Sequence, residues 1–127
     1  MKIDLSPKPA RQVDEIQAIV ASELARFADP TLASALRTFL IAPRMELRTW
    51  DWSSDHPQLP TWVVAESPRF DYGVIYSESG FGPENPWGLV FSSHTNFGAD
   101  NCWYSSLESA FSDSRLIEEH QEGRSEA

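Results

Sequence analysis

A single cysteine, three histidines and ten basic residues are the scarcities of this 127-residue chain, and each closes a class of chemistry. One thiol, Cys102, excludes an intrachain disulfide and a cysteine-rich metal centre. His56, His94 and His120 are too scattered for the close-spaced ligands of a zinc site, so neither metal nor cofactor is expected. Ten lysines and arginines against nineteen aspartates and glutamates leave a formal net charge of −9. That sign is wrong for meeting nucleic-acid phosphates or an anionic membrane surface. No apolar run reaches membrane-spanning length, and the opening "MKIDLSPKPARQVDE" lacks the hydrophobic segment of a signal peptide. The expectation is a soluble, cytoplasmic protein.

What is present suffices for one core. Hydrophobic residues make up 41% of the chain, and five tryptophans, seven phenylalanines and three tyrosines are included. Length and composition predict a single domain over 1–127, with a flexible N-terminal arm at 1–9 and a flexible tail at 120–127. The charge is unevenly placed. Residues 1–43 balance to zero, whereas 44–127 hold five arginines against fourteen carboxylates. Such a surface suits a basic protein partner, because complementary potentials steer association.

Periodicity supplies the elements. After the Pro7–Pro9 arm, where Ser6 or Pro9 precedes the helix start, Val13, Ile16, Ile19, Val20, Leu24 and Phe27 recur at helical spacing. Asp29-Pro30 caps and opens a second helix carrying Leu32, Leu36, Phe39 and Leu40, with Pro43 as its stop. Strand-like runs follow at 44–52, at "TWVVAES", at "RFDYGVIYSE" and at "WGLVFSS". Residues 94–104 read as irregular. Ser105 and Glu108 have capping-box spacing before a last helix carrying Leu107, Ala110, Phe111 and Leu116. The expected fold is α+β: an N-terminal helical hairpin, a four-stranded mostly antiparallel sheet, and a C-terminal helix. Phe70, Tyr72, Val74 and Tyr76 make one strand face apolar, yet Val63, Ala65, Ile75 and Val90 are apolar on the other. Both faces therefore need cover: helices on one, and on the other either the 94–104 segment or a second subunit in a homodimer.

The stretch "GFGPENPWGLVF" at 80–91 is glycine-rich without being a phosphate loop. It holds no lysine, its two prolines remove donors, Glu84 repels phosphate, and a strand follows it instead of a helix. Gly80 and Gly82 permit positive φ, which predicts a tight corner between strands, with Phe81 free to turn inward as a plug. "YGVIYSESGFGPENPWGLVF" followed by "NFGADNCWYSSLESAF" resembles a group of small bacterial proteins. In that group an aromatic-glycine strand, a GFGP turn, a PWGLVF strand and a G-x-D-x-x-W segment precede a helix opening in Leu-Glu. The likeness covers roughly 44–112, including Tyr72, Gly73, Gly80, Pro83, Trp87, Gly88, Gly98, Asp100 and Trp103. It departs at Trp50-Asp51-Trp52-Ser53, where the group often has glycine in place of the serine. The resemblance implies no activity.

Two sets of residues are candidates for function. Indoles beside carboxylates have the make-up of a protein interface, which selects Trp50, Asp51, Trp52, Asp55, Phe81, Glu84, Asn85 and Trp87, with Trp52, Phe81 or Trp87 as anchors. Glu66, Glu78, His94, Asp100 and Cys102 make a possible cleft. In that cleft two carboxylates on neighbouring strands, Glu66 and Glu78, would do acid–base work. Asp100 is also placed as a turn cap for the N–H of Cys102 or Trp103. No residue is singled out as catalytic, since Cys102 has no recognised nucleophile context. The expected function is an acidic protein-binding module that occludes a basic partner, in the manner of an inhibitor or immunity protein. The alternative is a small-ligand-binding protein or hydrolase-like enzyme working near Glu78, His94 and Asp100.

Overall fold

Helix α1, Val13–Ala25, opens the computed structural model, which describes residues 12–125. The arm at 1–9 and the helix start expected at Ser6 or Pro9 lie outside the described residues. Gln12 and Glu15 close the first turn of α1, the Gln12 N–H donating to Glu15 Oε1 at 3.1 Å. Helix α2, Pro30–Arg37, has the expected start: Asp29 accepts the Thr31 N–H at 2.9 Å and proline takes the first position. Five strands follow, β1 Leu40–Thr49, β2 Gln58–Glu66, β3 Gly73–Tyr76, β4 Trp87–Val90 and β5 Trp103–Tyr104. They form one antiparallel meander in sequence order. Helices α3, Leu107–Ser112, and α4, Arg115–Ser125, complete an α+β fold with helices at both ends of the chain.

Several boundaries differ from the sequence reading. The strand begins at Leu40, so Pro43 lies inside β1 beside a register shift between Leu40 and Arg44. Proline is tolerated there because β1 is an edge strand. The irregular segment contributes a fifth strand, Trp103–Tyr104. Where a tail was expected from residue 120, α4 continues to Ser125. Glu108 does not close a box with Ser105: Ser106 caps α3 by accepting the Ser109 N–H at 3.1 Å. The Glu108 carboxylate instead reaches across to the N–H groups of Ala28 and Asp29, at 3.0 Å each, ahead of α2.

The sheet is apolar on both faces, and both are covered. On one, Trp62, Val64, Val74, Tyr76 and Trp87 pack with Ile16, Leu36, Leu107, Phe111 and Leu116 from the helices. A register shift between Val63 and Ala65 turns Ala65 into this helix-side core, which alternation alone would not place there. On the other, Val63 and Ile75 lie under Phe97 and Trp103. The chain leaves β4 at Val90, crosses this second face, and bridges to β1 in parallel at Thr49 and Asn96. The Thr49 N–H donates to Thr95 C=O at 2.7 Å and the Phe97 N–H to Thr49 C=O at 3.2 Å. Arg48, 1% exposed, fastens the crossing from below: Nη1 donates to His94 C=O at 2.7 Å and Nη2 to Glu46 Oε1 at 3.2 Å. The chain itself thus shields much of the second face.

Glycines set the close approaches on that face. Gly80, at φ +48°, passes so near Phe97 that a Cβ would lie 2.5 Å from its ring. Gly88 lies beneath the Trp103 indole, 2.7 Å from where its Cβ would be. The glycine-rich stretch is therefore a corner and a seat for two aromatic rings.

Candidate functional site

The structure brings much of the aromatic set together. Trp50 and Trp52 follow β1 in the turn to β2, and Phe81 comes from the turn between β3 and β4. Ring centroids of Trp50 and Phe81 are 4.8 Å apart, those of Trp52 and Phe81 5.9 Å, and those of Trp50 and Trp52 6.4 Å. Phe97 and Trp103 continue the cluster inward, 5.3 Å from each other. Of these rings Trp52 is the exposed one, at 57%, and its Nε1 donates to Gly98 C=O at 3.3 Å. The carboxylates Asp51, Asp55 and Glu84 and the amide of Asn85 are all exposed nearby in sequence. Asp51 lies 3.7 Å from His56 Nδ1, and Asp55 accepts the Ser53 hydroxyl, a bond that lowers its carboxyl pKa. Trp87 does not join them. It is 2% exposed, turned into the helix-side core against Tyr76 at 4.7 Å, and cannot anchor a partner.

The cleft set is scattered. Glu66 ends β2 opposite Gly73, whereas Glu78 lies beyond Tyr76, whose partner is Trp62. Strand β3 runs from Gly73 to Tyr76, about 10 Å, with Glu78 beyond its far end, so these carboxylates sit at opposite ends of the sheet and do not form an acid–base pair. Glu66 is held by Arg44, whose Nη2 is 3.0 Å from Oε2. That carboxylate is the main cause of the raised Arg44 pKa. The ring of His94 is tilted against that of Phe91, centroids 5.1 Å apart, while its carbonyl serves Arg48. Asp100 is exposed and opens a short 3-10 turn, Asp100–Cys102. Backbone carbonyls close that turn, the Cys102 N–H donating to Ala99 C=O and the Trp103 N–H to Asp100 C=O. Cys102 is half-buried, its Sγ 3.6 Å from Asn101 Oδ1.

A different concavity forms at the end of the sheet where β3 begins and β4 ends. Phe70 and Phe91 stand 48% and 46% exposed there, on either side of Tyr72. The ring of Phe70 lies parallel to that of Tyr72 at 6.0 Å, and the Arg69 guanidinium sits 5.1 Å from the Phe70 centroid. The opposite wall is α4, whose Arg115, Glu118, Glu119 and Glu122 recur at positions that share one helical face. With Asp71 these residues enclose an open depression of about 440 Å³. It continues past Tyr72, Phe91 and Arg115 into a smaller, mainly apolar cavity of about 200 Å³, lined by Leu89, Val90, Cys102 and Leu116.

Hydrogen bonds hold this groove in shape. Glu119, buried at 7% exposure, accepts the Tyr72 hydroxyl at 2.9 Å and the Ser67 hydroxyl at 2.5 Å. Burial first, then the bond to Glu119, pushes the Tyr72 pKa up to about 12. Asp71 is tied to Ser93, accepting its N–H at 2.7 Å and its hydroxyl at 2.5 Å, and these bonds keep the Asp71 carboxyl below its ordinary range. Glu118 and Glu122 are exposed along the rim. The arrangement offers two half-exposed aromatic rings, an apolar hole and excess negative charge, a combination chemically suited to a cation carried on an apolar or extended chain.

Sequence reasoning missed this site because it ended the last helix at Leu116 and sent 120–127 into solvent. The spacing of Arg115, Glu118, Glu119 and Glu122 was the available signal. Among the described residues no group of three or more His, Cys, Asp or Glu is arranged to hold a metal ion, and no helix is long and apolar enough to cross a membrane. No family model, curated protein or solved structure matches the chain.

Proposed function

We propose that the chain is an acidic binding module for a basic polypeptide, acting by occlusion as an inhibitor or immunity protein does. The observation that carries this reading is the groove between Phe70, Tyr72 and Phe91 on one side and Glu118, Glu119 and Glu122 on the other, with an apolar cavity at its end. Carboxylates at the rim steer a basic chain inward. An arginine or lysine stem lies across the aromatic faces, where the Arg69–Phe70 contact already illustrates the geometry, and an adjacent apolar residue fills the cavity. The Trp52–Phe81 corner, where Trp52 is 57% exposed, is a second and subordinate patch.

Titrating the protein with a short peptide of alternating arginine and leucine, followed by amide chemical shifts, tests the proposal. Shifts are expected at 70–73, 89–91 and 113–122, weakening as salt is added. The Glu118→Lys/Glu122→Lys variant, altered only at exposed positions, should lose about tenfold in affinity. Shifts confined to the Trp52 corner, or equal binding of an acidic peptide of the same length, would overturn it.

A further inference from the structure

We infer that β1 is the pairing edge of a twofold dimer, with Met45 on the axis. The strand is the outermost of the sheet, and the described residues meet its outer side at Thr49 through the bridge to Asn96. Because the Thr49 N–H and C=O point outward to Thr95 and Phe97, alternation aims the main-chain groups of Leu47 and Met45 outward as well. An edge of this kind invites a second strand.

The side chains select a second copy as that strand. Antiparallel pairing of two β1 strands about Met45 sets Arg44 opposite the partner's Glu46, and Glu46 opposite the partner's Arg44. Arg44 and Glu46 are 47% and 34% exposed and bridge each other at 3.2 Å within the strand, so this register joins the two bridges into one alternating cluster of charges across the axis. The same register sets Leu47 opposite the partner's Pro43. Met45 and Leu47 are each 37% exposed, and Met45 shares the helix-side face of its neighbour Trp62. On that face an apolar groove of about 380 Å³ opens between α1 and β1, lined by Leu24, Leu40, Ile41, Pro43 and Val64. The partner's Leu47 therefore arrives at the mouth of this groove while Leu47 enters the partner's. Charge pairing and the fit of knob to groove are satisfied by one register, which an isologous interface requires. The ladder is short, because Pro43 has no N–H and Thr49 is already engaged, so the dimer should dissociate on dilution.

Light scattering should show a mass rising with concentration from 14.3 kDa towards twice that value. In a Cys102→Ser background, Met45→Cys should cross-link to itself under mild oxidation. Directly opposed, hydrogen-bonded residues have Cα atoms about 5.5 Å apart, within disulfide reach. Arg37→Cys, on exposed α2, should not cross-link. Leu47→Lys should remain monomeric at every concentration, with an unchanged circular dichroism spectrum and, at dilutions where the wild type is also monomeric, the same melting temperature. A mass of one chain at the highest concentration attainable would overturn the dimer. Dimerisation that survives Leu47→Lys, or cross-linking no greater at position 45 than at 37, would overturn this edge and register.

Discussion

Replacing Arg48 by methionine keeps an unbranched apolar stem, shortens the side chain by the guanidinium and removes every donor, which tests what that group contributes. The group is held by His94 C=O at 2.7 Å, Asn96 C=O at 3.4 Å and Glu46 at 3.2 Å. Two effects oppose each other. Losing a short bond from a charged donor costs about 1.5–3 kcal/mol, and the carbonyl left behind adds to that. Against it, an arginine at 1% exposure is heavily desolvated and its Nε has no partner, so relief of that penalty returns part of the loss. Desolvation is also why the Arg48 pKa is lowered despite the neighbouring Glu46. Glu46 is partly hydrated and is not stranded by the change. The balance should be a destabilisation of about 2 kcal/mol for Arg48→Met, a fall in melting temperature of about 6–10 °C. Arg48→Ala, which also leaves a cavity, should cost about 3–4 kcal/mol. Hydrogen exchange should lose protection first at the Thr49 and Phe97 amides, whose bonds join the crossing segment to β1. If Arg48→Met were neutral or stabilising, desolvation would outweigh the clamp, and Arg48 would not be what holds the segment down.

Gly80→Ala should cost about 2–3 kcal/mol in urea denaturation, from the left-handed backbone and the displaced Phe97 ring, while Gly82→Ala, with φ +92° but open space around it, should cost about 1 kcal/mol. Equal losses at the two sites would remove Phe97 from the explanation. Glu108→Ala should cost about 1 kcal/mol by stripping the acceptors from Ala28 and Asp29, measurable as a lower urea midpoint with unchanged slope. Tyr72 and Tyr104 are both pushed up to about 12, by burial and then by Glu119 and Asp113 respectively. The fold favours their neutral phenols, so that stabilisation is fully present below the unfolded value of 10.0 and is lost as pH climbs to 12. Tyrosinate absorbance should therefore lag in the folded protein, and titration of all tyrosines near 10 before unfolding would contradict it.

The helices, the meander and the corner at Gly80 were legible because each rests on local chemistry: helical spacing in α1, Asp29-Pro30 before α2, and short strand connections. Trp87 was misread because its neighbours Glu84 and Asn85 suggested a rim. Side-chain parity sets its direction, and Tyr76, directly opposite on β3, shares its face. In the sequence Arg48 is one charge among several in 44–52, and nothing there tells that a segment nearly fifty residues later will cross over it. The groove was illegible for the same reason. Phe70 and Phe91 are strand-end aromatics until α4 lies across from them, and α4 itself has too little apolar character to announce a packed helix beyond Leu116 and Ile117.

The crossing segment ties the groove to the second core. It starts at Phe91, a wall of the groove, where Asp71 holds Ser93, and it ends at Phe97, the plug of the second core, where Arg48 holds His94 and Asn96. One stretch of chain therefore serves both as cover for an apolar sheet face and as part of the proposed recognition surface, with Asp71 holding Ser93 and Arg48 holding His94 and Asn96. Asp71→Asn keeps an acceptor for Ser93 but weakens the charge-assisted bonds there, with Arg48 intact. It should loosen the groove end alone, lowering affinity for the arginine–leucine peptide by a few fold with little change in the urea midpoint. Arg48→Met should act in the reverse proportion, since the carbonyls it frees, at His94 and Asn96, lie on the second-core side of Ser93. If both variants lowered stability and affinity in step, the segment would move as one rigid body and the groove would have no independence from the fold that carries it.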